Sequence, residues 1–380
     1  MTDFLIKELV NNDIESELHK IGFDEGYCFK ASEKFRYKNL KIFNLTPEQA
    51  NILKQTALSV GADCGTHREV IRGKIEKSGA ILGGSFSQLK KIADKLKFQP
   101  FKLKILGDEI SNILIQKRTQ KTKLVGILNI TPDSFSDGGK YIEPINAQKH
   151  LIELIQDGAD IIDIGAESTR PGANEVEQTK QIERLKPILS FIQKENIKTP
   201  ISIDTRSSVV ADFVLNNGAT IINDVSGFDY DKKLAGVVSK YSAGIIIQHS
   251  LGTPQNMQDN PKYEDVVEEV YLSLKNKIDY AESSGLKNII ADVGIGISFG
   301  KAKEDNYKLL NRIEEFYSLN YPIMIGVSRK SLLGIKEDNN ELKDALTLAI
   351  SYPLILKRVD YLRVHNVKLH KILLDNCLIG

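Results

Sequence analysis

Asp204, Asn223, Asp292 and Lys330 each stand at or just beyond the end of a short apolar run, far apart along the chain. Together they offer two carboxylates, an amide and an ammonium. That set suits a flat heterocycle with a guanidine-like donor edge and a carbonyl acceptor. Carboxylates accept from ring N–H groups, while Asn and Lys donate to ring oxygen and nitrogen. Arg363 and His365 leave the last apolar run as Arg-x-His. With Asn129, Thr169 and Arg170 they can hold a diphosphate, and with it Mg²⁺, a hard cation that takes oxygen ligands. His249, ahead of Gly252-Thr253-Pro254, reads as a loop wall, and His365 and His370 lack the spacing of a metal pair.

These groups need elements to aim them. The stretch Val125 to Gly139 shows the pattern: an apolar run of strand length from Lys123 to Leu128, then a polar segment from Asn129 that carries Pro132, Gly138 and Gly139. Pro132 biases Thr131 away from helix, so the strand cannot continue as one. The rhythm repeats. Eight strands are predicted at Lys123–Leu128, Asp160–Ile164, Pro200–Asp204, Ile221–Asp224, Gly244–Gln248, Ile289–Asp292, Ile323–Val327 and Tyr361–Val364. Helical segments alternate with them, the clearest at Glu177–Gln193, Tyr263–Ser283, Asn306–Tyr317 and Glu341–Leu356. This is the order of a (β/α)₈ TIM barrel, whose site lies at the C-terminal strand ends. Those ends read Asn129, Glu167-Ser168-Thr169-Arg170, Asp204, Asn223-Asp224, Gln248-His249, Asp292, Ser328-Arg329-Lys330 and Arg363-Val364-His365. A single Asp at a strand end is commonly a helix cap; a polar end on every strand is not explained by capping.

Ahead of the barrel, residues 1–110 read as a smaller α+β domain, and residues 111–122 as a linker. Phe4 to Ile21 has helical spacing, broken at Asn11-Asn12 and ended by Gly22. Tyr37–Leu45 is a strand, and Thr46 with Gln49, then Ser85 with Gln88, form capping boxes that start two helices. Glu69–Ile75 and Ala80–Leu82 are expected to pair as a hairpin, and Phe101–Ile105 alternates as a final strand. The order strand-helix-strand-strand-helix-strand is ferredoxin-like. Nothing in it concentrates chemical groups, and Cys64 near His67 reads as structural.

The 380 residues carry a net charge of +1, so no global field attracts nucleic acid or a membrane surface, and anionic ligands must be held locally. Cys28, Cys64 and Cys377 are odd in number and form no metal or redox motif, which fits the reduced thiols of a cytoplasmic protein. No signal core or membrane-length apolar run is expected.

The motifs resemble a known family. Asn129-Ile-Thr-Pro-Asp-Ser-Phe-Ser-Asp-Gly-Gly139 and Glu167-Ser-Thr-Arg-Pro-Gly172 are similar to the two signatures of dihydropteroate synthase. Ile203-Asp204-Thr205, Ile222-Asn223-Asp224, Gly326-Val-Ser-Arg-Lys-Ser331 and Arg363-Val-His365 continue the likeness in order, which extends over about residues 123 to 375. The resemblance implies a pterin-binding barrel that joins (7,8-dihydropterin-6-yl)methyl diphosphate to 4-aminobenzoate, with Mg²⁺ as cofactor. It implies that Asp204, Asn223, Asp292 and Lys330 hold the pterin, that Asn129 binds Mg²⁺, and that Arg363 and His365 hold the diphosphate. Asp137 and Thr169-Arg170 would belong to the first and second loops and Ser331 would lie near the aminobenzoate, with Asp137, Lys330 and Arg363 the catalytic candidates. Small-molecule partners, a homodimer, a cytoplasmic location and inhibition by sulfonamides are expected with it. Val293 stands where the family has proline, about two residues are added before Phe299, and either Ile297 or Phe299 takes the family's phenylalanine position. Ala166 replaces a usual glycine. Two rivals are a pterin-binding methyltransferase of related barrel type and a non-catalytic pterin-binding scaffold; the first has no use for the Lys330 and Arg363 motifs, and the second does not require them.

Overall fold

A computed structural model describes residues 6–9, 13–116, 121–130, 142–167, 176–251, 262–335 and 339–376. The chain divides into two compact units, Met1–Lys117 and Arg118–Gly380.

In the first unit the elements are α1 (Ile14–Lys20), α2 (Cys28–Ser32), β1 (Tyr37–Leu45), α3 (Pro47–Leu58), β2 (Asp63–Thr66), β3 (Ser78–Ser85), α4 (Phe86–Leu96) and α5 (Leu103–Ile115). Both capping boxes are present: Thr46 with Gln49 starts α3 and Ser85 with Gln88 starts α4. The sheet has three antiparallel strands in the order β1-β3-β2. Three expectations are corrected. Of the helical stretch expected from Phe4 to Ile21, residues 6–9 are not helical and the helix is Ile14–Lys20. Residues 67–73 form turns, in which Val70 N–H donates to the His67 carbonyl and Gly73 N–H to that of Val70, so Asp63–Thr66 supplies the partner of β3 instead of Glu69–Ile75. Phe101–Ile105 is not a strand; α5 occupies the place where a ferredoxin-like unit has its last strand, and it takes residues 111–115 of the expected linker into the helix. The longer period decides. Leu103, Gly107, Ile110 and Leu114 fall on one buried helical face, while Ile105 is exposed. Gly107 lets α5 approach α4 closely, since a Cβ there would lie 2.6 Å from the Ala93 carbonyl oxygen.

The second unit is a closed barrel. Its strands are β4 (Lys123–Asn129), β5 (Ile161–Gly165), β6 (Ile201–Asp204), β7 (Ile221–Asp224), β8 (Gly244–Gln248), β9 (Ile289–Asp292), β10 (Ile323–Ile325) and β11 (Tyr361–Val364). All pair in parallel, and β11 closes on β4. The eight expected strands are present, their ends shifted by no more than two residues. Helices α6 (Ile142–Gln156), α7 (Gln178–Lys194), α8 (Ser208–Asn216), α9 (Lys233–Lys240), α10 (Val266–Ser283), α11 (Lys303–Asn311), α12 (Asn340–Leu356) and α13 (Val367–Asn376) follow the strands in turn. Where one helix is expected over Asn306–Tyr317, α11 ends at Asn311 and a 3₁₀ turn over Ile313–Leu319 continues the chain. No helix among the described residues is long and apolar enough to cross a membrane.

Strand alternation sorts the barrel residues into two layers. Ile162, Ile164, Ile201, Ile203, Ile245, Ile247, Ile289 and Ala291 face outward to the helices in the large core. Val125, Ile161, Ile246, Ile290 and Met324, with Ile221 and Tyr361 against them, face inward and plug the barrel. Each fully buried aliphatic side chain contributes about 1.5–3 kcal/mol. Two residues farther along the same inward faces stand Asp163, Asn223, Gln248, Asp292 and Arg363. The plug is thus the floor of a polar layer.

Candidate active site

Asp163 is the hub of that layer. It lies mid-strand on β5, fully buried, and its Oδ2 accepts from Arg363 Nε at 2.7 Å and from Asn223 Nδ2 at 3.0 Å. Arg363 Nη2 lies 3.5 Å from Asp204 Oδ2, so one guanidinium spans two carboxylates from neighbouring strands. Burial, then the Asp163 charge, raises the Asp204 carboxyl above its ordinary range, and Arg363 opposes this. Asn223, expected to donate to a ring, spends its Nδ2 on Asp163 and leaves its buried Oδ1 unpartnered among the described residues. Asp163 itself escapes a reading confined to strand ends. The signal was present: a carboxylate on the inward parity of an apolar strand is seldom fully buried without a partner.

On the opposite side, Asp292 ends β9 and its Oδ1 accepts from Gly294 N–H at 2.7 Å. Gly294 has φ +68°, and a Cβ there would lie 1.9 Å from the His249 carbonyl oxygen, so this turn requires glycine. Lys330 Nζ donates to the Ile295 carbonyl and sits 4.6 Å from the centre of the Phe299 ring. Phe299, not Ile297, is therefore the aromatic residue of this loop that meets the site. Burial pulls Lys330 down to about 8, with Asp292 the chief opposing influence. Burial raises Asp292 in turn, opposed first by Lys330.

Lys301 lies behind this loop, fully buried; it was absent from the sequence-derived set. Its Nζ is 3.0 Å from His249 Nδ1 and donates to the carbonyls of His249 and Phe299, each at 3.3 Å. Burial lowers Lys301 to about 7, and burial with the Lys301 charge lowers His249, so the imidazole is neutral and accepts the lysine proton. His249 is thus a loop wall, as expected, and its partner pins the loop after β8 to the one after β9.

At the last strands, Ser328 Oγ accepts from the His365 backbone N–H at 3.1 Å and lies 2.9 Å from His365 Nδ1. The hydroxyl is thus paired with Nδ1, and Nε2 is the ring nitrogen left to other partners. Burial and the nearby Arg329 and Arg363 charges hold His365 at about 3, so it offers a neutral ring and no cation. Arg329 takes a left-handed conformation, φ +54°, and forks onto Asp344 of α12 with two 2.7 Å bonds. Its charge is spent there, and only Lys330 of that pair reaches the cluster. Ser331 is exposed at the start of a 3₁₀ turn, Ser331–Leu333. Asn129 is exposed at the end of β4; Asp137, Thr169 and Arg170 lie outside the described residues.

The barrel chain is matched by known proteins. Residues 125–365 match the family described as pterin binding enzyme. The dihydropteroate synthase of Clostridium beijerinckii is 42% identical over 253 residues, covering 65% of this chain and 90% of that protein. The chain belongs to the dihydropteroate synthase family. A crystal structure of the dihydropteroate synthase of Clostridium difficile in the presence of pteroic acid superimposes with a TM-score of 0.63 at 37% identity, over 69% of this chain and 97% of that one. The bifunctional dihydropteroate synthase/dihydropteroate reductase of Helicobacter pylori is 31% identical over 370 residues, 96% of each chain, and so is similar to both units. Val293 is buried behind Asp292, and the loop that follows holds the 3₁₀ turn Ile297–Phe299.

Proposed function

We propose that Asp204, Asn223, Asp292 and Lys330 seat the pterin of (7,8-dihydropterin-6-yl)methyl diphosphate in the reaction this transferase performs. That reaction joins the pterin to 4-aminobenzoate and gives 7,8-dihydropteroate and diphosphate. The observation that carries the assignment is the polar layer, in which acceptors (Asp292, Asp204, Asn223 Oδ1) from three strands converge with a cationic donor (Lys330) from the loop after β10. The carboxylates accept from the guanidine-like edge, and Lys330 donates to a ring acceptor while lying over Phe299.

Arg363 and His365 then face the diphosphate, the first as a fixed cation and the second as a neutral ring. Asn129 fits Mg²⁺ as one hard oxygen donor. Gly165 beside it bears no side chain, and a Cβ there would lie 3.1 Å from Asn129 Oδ1, so the amide oxygen keeps an open approach next to Asp204. When bound, Mg²⁺ supplies positive charge to the diphosphate oxygens. As the C–O bond of the methylene breaks, charge builds on the leaving group, and preorganised donors such as Arg363 stabilise that state most. The arylamine is uncharged at neutral pH, so the chain need only position it and exclude water. Diphosphate release should require both 4-aminobenzoate and Mg²⁺; release that ignores the arylamine would refute the assignment. A homodimer in the cytoplasm is proposed with it, to be checked by sedimentation equilibrium and cell fractionation.

A second activity is favoured by one observation: the Helicobacter pylori relative, named as synthase and reductase together, matches across both units. We infer that this chain also reduces 7,8-dihydropteroate at its C6–N5 double bond. That reduction would take a hydride at C6 from a reduced nicotinamide or flavin, which is thereby oxidised, and a proton at N5 from solvent. Donor oxidation that depends on dihydropteroate is the expected result. No oxidation with either donor class would leave the chain a synthase alone.

A further inference from the structure

Gln248 ends β8 and carries an orphan. Its side chain is 4% exposed, and its Nε2 is buried with no hydrogen-bond partner among the described residues. Strand alternation places it on the inward face above the plug residue Ile246, in register with Asp292 on β9. On the other neighbour, β7, Asn223 faces the same interior, and its Oδ1 is the matching orphan acceptor. Turning the Asn223 amide over would not help, because the group 3.0 Å from its Nδ2 is a carboxylate oxygen of Asp163, which accepts. Buried polar groups are nearly always hydrogen-bonded, so a donor and an acceptor orphaned on adjacent strands point to a common complement. That complement accepts at one atom and donates at the next. A ring lactam, C=O beside N–H, has this pattern.

We propose that Gln248 is a specificity-determining residue of the ring site, donating from Nε2 to the lactam carbonyl oxygen of the bound heterocycle while Asn223 Oδ1 accepts from the adjoining N–H. The proposal rests on the reading of this layer as a pterin seat. The competing occupant is a single buried water, which also accepts and donates, and the two make different demands on the ligand. Gln248→Met keeps the length of the side chain and removes the donor. With a lactam partner, pterin binding measured by calorimetry weakens about tenfold in Gln248→Met. The KM for 4-aminobenzoate and the thermal midpoint stay near wild type. The thiolactam analogue, which keeps the ring N–H and puts a weak acceptor in place of the carbonyl oxygen, binds wild type about tenfold less tightly than pterin, and loses nothing further in Gln248→Met. Equal pterin affinity in wild type and variant, or an unchanged penalty for the thiolactam in the variant, assigns the amide to water and overturns the proposal. Should Gln248→Met fail to fold, Gln248→Leu takes its place in the same comparison of the two ligands. Wild type that binds no pterin at all would instead remove the seat itself, a separate outcome from the loss of Gln248's part in it.

Discussion

Lys330→Ala is expected to lose at least about tenfold in kcat/KM for the pterin substrate while remaining folded. A hydrogen bond from a charged donor contributes about 1.5–3 kcal/mol, and Lys330 is the ammonium that this layer aims between Asp292 and the Phe299 ring. The fold should survive because burial already opposes the charge: removing the ammonium also removes its desolvation cost. The same burial gives the variant a pH signature. With its pKa lowered to about 8, folded Lys330 gives up its proton well before an ordinary lysine does. Wild-type kcat/KM should therefore fall as pH rises through about 8, and Lys330→Ala should lack that limb. Near-normal kcat/KM in a folded variant, or an identical alkaline limb in both proteins, would remove Lys330 from the site.

Asp163→Ala should damage stability and activity together. The substitution leaves Arg363 with Asp204 alone, 3.5 Å away, and takes the acceptor from Asn223 Nδ2. Removing one partner of a buried ion pair costs about 3–5 kcal/mol, and the second carboxylate should bring the value toward the lower end. Urea unfolding of the variant against wild type measures it. Asp163→Asn, which keeps an acceptor without the charge, should fall between the two. A change under about 1 kcal/mol for Asp163→Ala would mean that Arg363 repacks freely and that Asp163 does not organise the layer.

The residues that end strands are legible in this sequence because the apolar run stops there and a polar side chain begins. Asp204, Asn223 and Asp292 follow that rule. Asp163 does not, since Ile161-Ile162 precede it and Ile164-Gly165 follow it; only the parity of β5 turns it inward. Parity also separates Gln248 from its apolar neighbours in β8. Lys301 is hidden for another reason: it belongs to no strand end, and its partners, His249 and Phe299, come together only when the loops after β8 and β9 pack. Arg329 and Lys330 are adjacent cations in sequence, and the left-handed backbone at Arg329 sends them to different partners. In the first unit, short alternation misleads at Phe101–Ile105, where only five residues suggest a strand and thirteen complete a helix.

The plug of Val125, Ile161, Ile246, Ile290 and Met324 has a consequence for traffic. Among the described residues it closes the barrel interior beneath the polar layer. On the proposed seating, a ring resting against Asn223 and Asp292 would arrive before anything that sits above it and depart after it. A molecule lodged at the outer level, near Ser331, would therefore act as a cork as well as a rival for its own place. It would lengthen the residence of the pterin beneath it, and its hold would tighten with how fully the inner berth had been loaded beforehand.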